Sequence, residues 1–230
     1  MGFLREKQIQ WLALDIDGTL YPRYMLNWRM VRSTFPSVRL ALAFNEARRE
    51  YRRVQEMVPT EPASREGLLT RQAKLVADFL QTDDIVAVKD KIDSQFYGAW
   101  ERTFLSIKAY RGLRETLENV AESGVKIALF SDFPIADKPE TLGIRDLVSV
   151  ALSSEESGYL KPSKHAFARL LAELDCEAEA VLYVGDSYEK DCEGAKRIGM
   201  YSALISNKSA EREAADLISK SWMGLGALLL

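Results

Sequence analysis

Trp11-Leu12-Ala13-Leu14-Asp15-Ile16-Asp17-Gly18-Thr19-Leu20 is the stretch whose reading decides the fold. An apolar run ends abruptly in two carboxylates one residue apart, followed by a glycine and a hydroxyl. A parallel strand buried on both faces has this pattern, because its first polar groups appear where the chain leaves the sheet. Carboxylates this close repel each other. They need a cation, a shared proton or separate hydrogen-bonding environments. A strand followed by a simple Asx or glycine turn has a similar pattern, so the decamer acquires meaning only from what lies downstream.

The next stretch changes period. Between Asn27 and Met57 apolar residues recur at helical spacing, with Pro36 predicting a break or kink. Ser64 and Glu66 open a helix expected over Arg65 to Leu80, and Thr82 and Asp83 cap a helical stretch running to about Ser106. From Tyr110 the rhythm becomes helix, strand, helix, strand. A helix over Arg111 to Ser123 stops at Gly124, and strands are expected at Val125–Phe130, Asp146–Leu152, Val181–Val184 and Tyr201–Ile205. Helices Lys164–Leu174 and Tyr188–Ile198 lie between them, the second closed by Gly199. The Leu225–Leu230 run reads as the apolar face of a last helix or strand.

Alternation of this kind predicts an α/β fold, a Rossmann-like parallel sheet core with helices on both faces. The first strand joins that sheet, so residues 1–20 and 109–230 form the expected core and 21–108 an inserted all-α cap domain. An insertion directly after the Asp15/Asp17 strand lies over the mouth of any site at the strand ends. The charges support two units. Residues 21–110 hold 15 Lys and Arg against 11 Asp and Glu, the remainder 16 against 23.

Net charge is -3, which argues against nucleic-acid or anionic-membrane binding. One histidine, His165, and two separated cysteines, Cys176 and Cys192, provide neither a Cys/His zinc set nor a disulfide framework. A reducing, cytoplasmic setting is the expectation, with no apolar signal segment near the N-terminus and no C-terminal run long enough to span a bilayer. His165 reads as a helix first-turn residue, Cys176 and Cys192 as packing thiols, and Trp28, Phe96 and Trp100 as cap core. The Arg48-Arg49 and Arg52-Arg53 pairs read as the solvated face of a cap helix, balanced by Glu46, Glu50 and Glu56.

Ligands of α/β sheets bind at the carboxyl ends of the strands. There the sequence delivers Asp15, Asp17 and Thr19, then Ser131 and Asp132, then Gly185-Asp186-Ser187 with Asp191 in the following turn, and Lys161 in a loop before a helix. Acids suit a hard cation such as Mg²⁺, while a hydroxyl and an ammonium suit phosphate oxygens.

These residues, in this order, resemble the motifs of the haloacid dehalogenase-like (HAD) hydrolase superfamily: Asp15-Ile16-Asp17-Gly18-Thr19-Leu20, Ser131, Lys161 in Gly158-Tyr159-Leu160-Lys161-Pro162, and Gly185-Asp186-Ser187-Tyr188-Glu189-Lys190-Asp191. The helical insertion is similar to the cap of the phosphoglycolate phosphatase-like subgroup. The resemblance implies a Mg²⁺-dependent phosphatase acting on a small phosphorylated metabolite through an aspartyl-phosphate. Asp15 is then the nucleophile and Asp17 the general acid and base. Asp15, the Asp17 backbone carbonyl and Asp186 hold the metal. Ser131 and Lys161 bind phosphoryl oxygens, with Thr19 steadying the motif and Asp191 orienting Lys161 or the metal's waters. Dehalogenases of the superfamily lack an aspartate corresponding to Asp17, so its presence favours phosphoryl transfer. Asp132 departs from the asparagine many relatives carry; grouped with the phosphate-binding positions, it is expected to repel a phosphate dianion unless it points away. A phosphomutase and a non-catalytic regulatory or binding member share much of this pattern.

Overall fold

The computed structural model describes residues 2–25, 38–57, 63–98, 104, 107–206 and 213–230. Its centre is a six-stranded sheet in the order β3-β2-β1-β4-β5-β6, with every neighbouring pair parallel. The strands are β1 (Trp11–Leu14), β2 (Lys126–Ser131), β3 (Val148–Ser153), β4 (Val181–Gly185), β5 (Tyr201–Ile205) and β6 (Leu217–Ser219). β1 is central and wholly buried. Its alternate residues serve opposite layers: Leu12 and Leu14 pack with Leu117, Trp222 and Leu225, whereas Trp11 and Ala13 pack with Phe167 and Leu170. That double burial explains why the strand is apolar at every position.

The described helices are α1 (Phe3–Glu6), α2 (Val38–Val54), α3 (Arg65–Leu80), α4 (Ile85–Ile92), α5 (Leu113–Glu122), α6 (Lys138–Thr141), α7 (Lys164–Leu174), α8 (Glu193–Lys196) and α9 (Trp222–Leu229). Ser64 caps α3 and Ser221 caps α9 through their hydroxyls, as serine does at a helix start. Three local differences separate sequence and structure. The helix expected from Tyr188 begins as a π-helical turn over Tyr188–Cys192, and α4 likewise runs into one at Asp93–Tyr97. Residues Arg145–Leu147 form a 3₁₀ turn before β3. The edge strand β6, three residues long, has too little periodicity to be seen in sequence. Trp28, Trp100 and the Pro36 break lie outside the described residues, while Phe96 stacks on Phe44 with ring centroids 4.4 Å apart. Among the described residues, no helix is long and apolar enough to cross a membrane.

α2, α3 and α4 lie between β1 and α5 in sequence, and α2 packs against the loops at the carboxyl ends of the strands. The contact is polar. Tyr51 donates to the Gly158 carbonyl at 2.7 Å, Gln55 exchanges hydrogen bonds with both backbone groups of Leu160, and Arg52 Nε donates to the Lys161 carbonyl at 3.0 Å. α2 and Gln55 thereby fix the loop that carries Lys161. Gly158 has φ +77°, and a Cβ there would run into the Ser64 backbone at the start of α3. Only glycine meets both demands.

One expectation is corrected here. Arg49 and Arg53 do pair with Glu46 and Glu50 on the exposed face. Arg48 and Arg52 instead point inward. Arg48 is buried and pairs with the buried Glu155 at 2.7 Å, also donating to the Asp132 carbonyl at 2.8 Å. Tyr97 donates to the same Glu155 oxygen at 2.8 Å. A helical period cannot say which two of four arginines face the core when apolar neighbours flank both sides.

Removing one partner of a buried ion pair strands the other charge. Glu155→Ala is expected to lower unfolding stability by about 3 kcal/mol or more, read from urea denaturation. Glu50→Ala, on the exposed face, is expected to leave the transition midpoint where it was.

Candidate active site

The chain leaves β1 with its backbone still anchored: Asp15 N donates to the Val184 carbonyl at 2.9 Å. Asp15 is buried, and each of its oxygens has a donor. Lys161 Nζ meets Oδ1 at 2.7 Å and Thr19 Oγ1 meets Oδ2 at 2.9 Å. Asp17 has a different set. Tyr21 donates to Oδ1 at 2.5 Å, Ser131 to Oδ2 at 3.0 Å, and Lys138 Nζ lies 3.1 Å from both. Buried Ile16 separates the two acids. Of the arrangements that neighbouring carboxylates allow, the chain adopts separate environments, each with its own lysine.

Gly18 lets the chain turn between them. It has φ +108°, and a Cβ would collide with the Asp186 carboxylate. Thr19, besides holding Asp15, accepts the Trp222 indole N–H at its carbonyl, 2.8 Å away, which ties the turn to α9.

Lys161 is almost wholly enclosed. Its ammonium donates to Asp15, to Asp191 at 2.7 Å and to the Tyr183 hydroxyl at 2.9 Å, which uses its donor capacity. Tyr183 in turn donates its hydroxyl hydrogen bond to the Phe130 carbonyl at 2.9 Å. Burial works against the ammonium, yet Asp15 and Asp191 hold the Lys161 pKa well above its ordinary value. Burial also pushes the Asp15 carboxyl up to about 7, against the pull of Lys161 and with Asp191, Asp186 and Asp17 adding to it. Asp17 goes the other way. Burial alone would raise it, but the Lys138 charge and the hydrogen bonds from Tyr21, Lys138 and Ser131 hold it below the usual carboxylate range.

Asp15, Asp186 and Asp191 each offer a carboxylate oxygen within 4.8 Å of the others. Asp191 is already engaged by Lys161 and by the Ser187 amide at 3.0 Å. Asp186 is not: its Oδ1 is buried without a hydrogen bond among the described residues, and the Arg23 guanidinium is 3.7 Å away. Arg23 donates to the Asp17 carbonyl at 2.6 Å. An all-oxygen group with an uncommitted buried carboxylate oxygen fits a hard divalent cation such as Mg²⁺.

Asp132 follows Ser131 but turns away from it. Arg52 Nη2 meets Oδ2 at 2.7 Å, while Ser154 and the Lys161 amide donate to Oδ1 at 2.8 and 3.0 Å. Burial is overcome by Arg52, Lys161 and Arg48, which hold the carboxyl far below its ordinary range. With both oxygens taken, its negative charge is neutralised at the contact with α2 and does not confront an anion at Ser131. In this structure the Asp132 carboxylate, one of the expected phosphate-binding positions, braces the contact between α2, Ser154 and the Lys161 loop.

The structure brings Asp15, Asp17, Thr19, Ser131, Lys161, Asp186 and Asp191 together. Sequence reasoning missed Tyr21, Arg23, Arg52, Lys138 and Tyr183. Tyr21 stands four residues from Asp17 and could have been noticed. Lys138 is 121 positions away, in a segment with no motif, and only the fold places it there.

A family model described as haloacid dehalogenase-like hydrolase matches residues 9–199. A ribulose-1,5-bisphosphate 5-phosphatase of Halopiger xanaduensis is 39% identical over 108 residues, which span 45% of this chain and 45% of that protein. A glyceraldehyde 3-phosphate phosphatase of Methanopyrus kandleri is 29% identical over 206 residues, covering 86% of this chain and 84% of that one. The match thus spans under half of the first relative and most of the second. Among solved structures, a dehalogenase crystallised as an intermediate complex superposes with a TM-score of 0.67 at 16% identity, over 96% of this chain and 97% of that one. At that identity the likeness concerns the fold.

Gly18→Ala adds a Cβ at positive φ and against Asp186. It is expected to cost about 1 kcal/mol or more in thermal or chemical denaturation, and Asp186→Ala in the same chain is expected to return part of that loss by removing the colliding carboxylate.

Proposed function

The chain belongs to the haloacid dehalogenase-like hydrolase family, and from that premise we propose that it is a Mg²⁺-dependent phosphatase of small phosphorylated metabolites. One observation carries the reading: two carboxylates at the end of a single strand, each in its own donor set. Asp15 shares an acid cluster with Asp186 and Asp191, and Asp17 is turned out of it. Asp15 is the nucleophile. Its oxygen attacks phosphorus and forms an aspartyl-phosphate as the bond to the ester oxygen breaks. Asp17 gives a proton to that leaving oxygen, then takes one from the water that attacks phosphorus and releases Asp15. An acid at position 17 has no use when the leaving group is a halide ion, which needs no proton.

Ser131 and Lys161 supply donors to the phosphoryl oxygens. Asp15, Asp186 and the Asp17 carbonyl would hold Mg²⁺, which would supply positive charge to offset the phosphate. Arg23 meets both the Asp17 carbonyl and the neighbourhood of Asp186. Residues 21–108 form the cap and 1–20 with 109–230 the core, and the polar contact from α2 to the Lys161 loop is where the two meet. The relatives named as phosphatases of ribulose-1,5-bisphosphate and glyceraldehyde 3-phosphate support a substrate of that size.

Asp15→Asn is expected to abolish phosphate release from a panel of sugar and triose phosphates in the presence of Mg²⁺. Substantial residual turnover would overturn the nucleophile assignment. EDTA is expected to stop the wild type, and added Mg²⁺ to restore it.

Acid also opposes the metal. Because the Asp15 carboxyl is raised to about 7 in the metal-free protein, protons compete for it below that pH and not well above it. Mg²⁺ affinity, measured by calorimetry between pH 6 and 8.5, is expected to weaken as pH falls below about 7 and to level off above it.

A further inference from the structure

Lys138 belongs to no motif, yet its ammonium lies 3.1 Å from each oxygen of the Asp17 carboxylate. It opens α6, its backbone amide donates to the Ile135 carbonyl at 3.2 Å, and buried Leu142 and Ile144 anchor the segment that follows. Lys138 is 8% exposed and its side chain passes over the Phe104 ring, with Nζ 5.6 Å from the centroid. At the far end the ammonium is equidistant from both Asp17 oxygens. A symmetric contact of this kind fixes the plane of a carboxylate, which has only a weak torsional preference of its own.

The other donors to Asp17 divide the work. Tyr21, fully buried, takes Oδ1. Ser131 takes Oδ2, and Ser131 is the contact that a phosphoryl group would claim. When its hydroxyl turns to a phosphoryl oxygen, Oδ2 becomes free to face the ester oxygen. Tyr21 and Lys138 are then what keeps Asp17 in place.

We propose that Lys138 is a positioning residue for proton transfer by Asp17, holding the carboxylate in register while Ser131 is engaged by the substrate and balancing the charge left when Asp17 gives up its proton. The proposal rests on the phosphatase reading above. In the first step Asp17, anionic at rest against Lys138, takes a proton from the phosphomonoester monoanion as Ser131 turns to the phosphoryl oxygen; that proton moves to the ester oxygen as the P–O bond breaks and the Asp15 O–P bond forms, leaving Asp17 anionic against Lys138 again. In the second, Asp17 removes a proton from water as the water oxygen attacks phosphorus and the Asp15 O–P bond breaks. Lys138 keeps its own protons throughout. It acts only through Asp17.

This role has a kinetic signature that a merely structural pair lacks. Protonation of the leaving group matters most for a poor one. For the full chain with Mg²⁺, K138M is expected to lower kcat about 100-fold on an alkyl phosphate such as glycerol phosphate, and about tenfold or less on p-nitrophenyl phosphate. KM and inhibition by inorganic phosphate are expected to stay within about twofold of wild type, since Lys138 does not touch the phosphoryl group. K138R, whose fork can also meet both carboxylate oxygens, is expected to recover most of the alkyl phosphate activity.

Equal losses on both esters, or weakened inhibition by phosphate, would overturn the assignment and make Lys138 a fold element or a substrate contact. If K138M proves poorly folded by circular dichroism, K138Q set against K138R gives the same comparison of the two esters. A wild type that releases phosphate from neither ester, nor from the metabolite panel, overturns the phosphatase reading. A wild type that cleaves both, with K138M showing unaltered leaving-group dependence, overturns Lys138 alone.

Discussion

The structure depends on the Lys161 ammonium, enclosed between Asp15 and Asp191. Parallel strands that end together bring their first polar residues together, and here those residues are mostly acids. Without a buried cation, Asp15, Asp186 and Asp191 would repel one another where water cannot screen them. Lys161 answers that problem from a loop distant in sequence, so its position has to be set with care. α2 sets it, through Tyr51 and Arg52 on the loop backbone, with Gln55 just past its end, and Asp132 sets it through the Lys161 amide. The helical segment is thus part of the electrostatic solution at the strand ends.

The same logic explains the arginines of α2. Bringing a polar helix face against strand ends buries groups that need partners. Arg48 meets Glu155 and the Asp132 carbonyl, Arg52 meets the Asp132 carboxylate, and Ser154 completes it. An aspartate after Ser131 looks hostile to an anionic substrate when the strand is read by itself. Beside Arg52 it is a strut between α2 and the end of β2. An asparagine at that position would leave Arg52 without its counter-charge, so residue 132 and residue 52 have to be read as a pair.

Much of this was legible in the sequence, for identifiable reasons. β1, β2 and β4 were visible because burial on both faces makes them continuously apolar, and each ends in the polar residues that line the site. Asp15, Asp17, Ser131, Lys161 and Asp186 share a fixed order with a known family. Illegible were the features decided by long-range geometry: which of Arg48, Arg49, Arg52 and Arg53 turn inward, the π-helical turn that carries Asp191, the short strand β6, and the approach of Lys138 and Tyr183 to the acids. Tyr183 shows the limit well. In sequence it is one more apolar strand residue, and its hydroxyl becomes chemical only because β4 lies beside β1 and its side chain reaches Lys161.

The phosphate-binding donors of the resting site are already committed. Lys161 has its acceptors, Asp17 has donors on both oxygens, and the Ser131 hydroxyl donates its hydrogen bond to Asp17. On the phosphatase reading, a phosphoryl group therefore gains hydrogen bonds only by displacing existing ones, and affinity is the difference between two sets of contacts rather than the sum of one. Such an exchange couples binding to readiness: the serine that turns to the phosphoryl oxygen is the one that releases Asp17 Oδ2. The carboxylate needed for proton transfer becomes available when the ester arrives, and the remaining contacts from Tyr21 and Lys138 determine where it points.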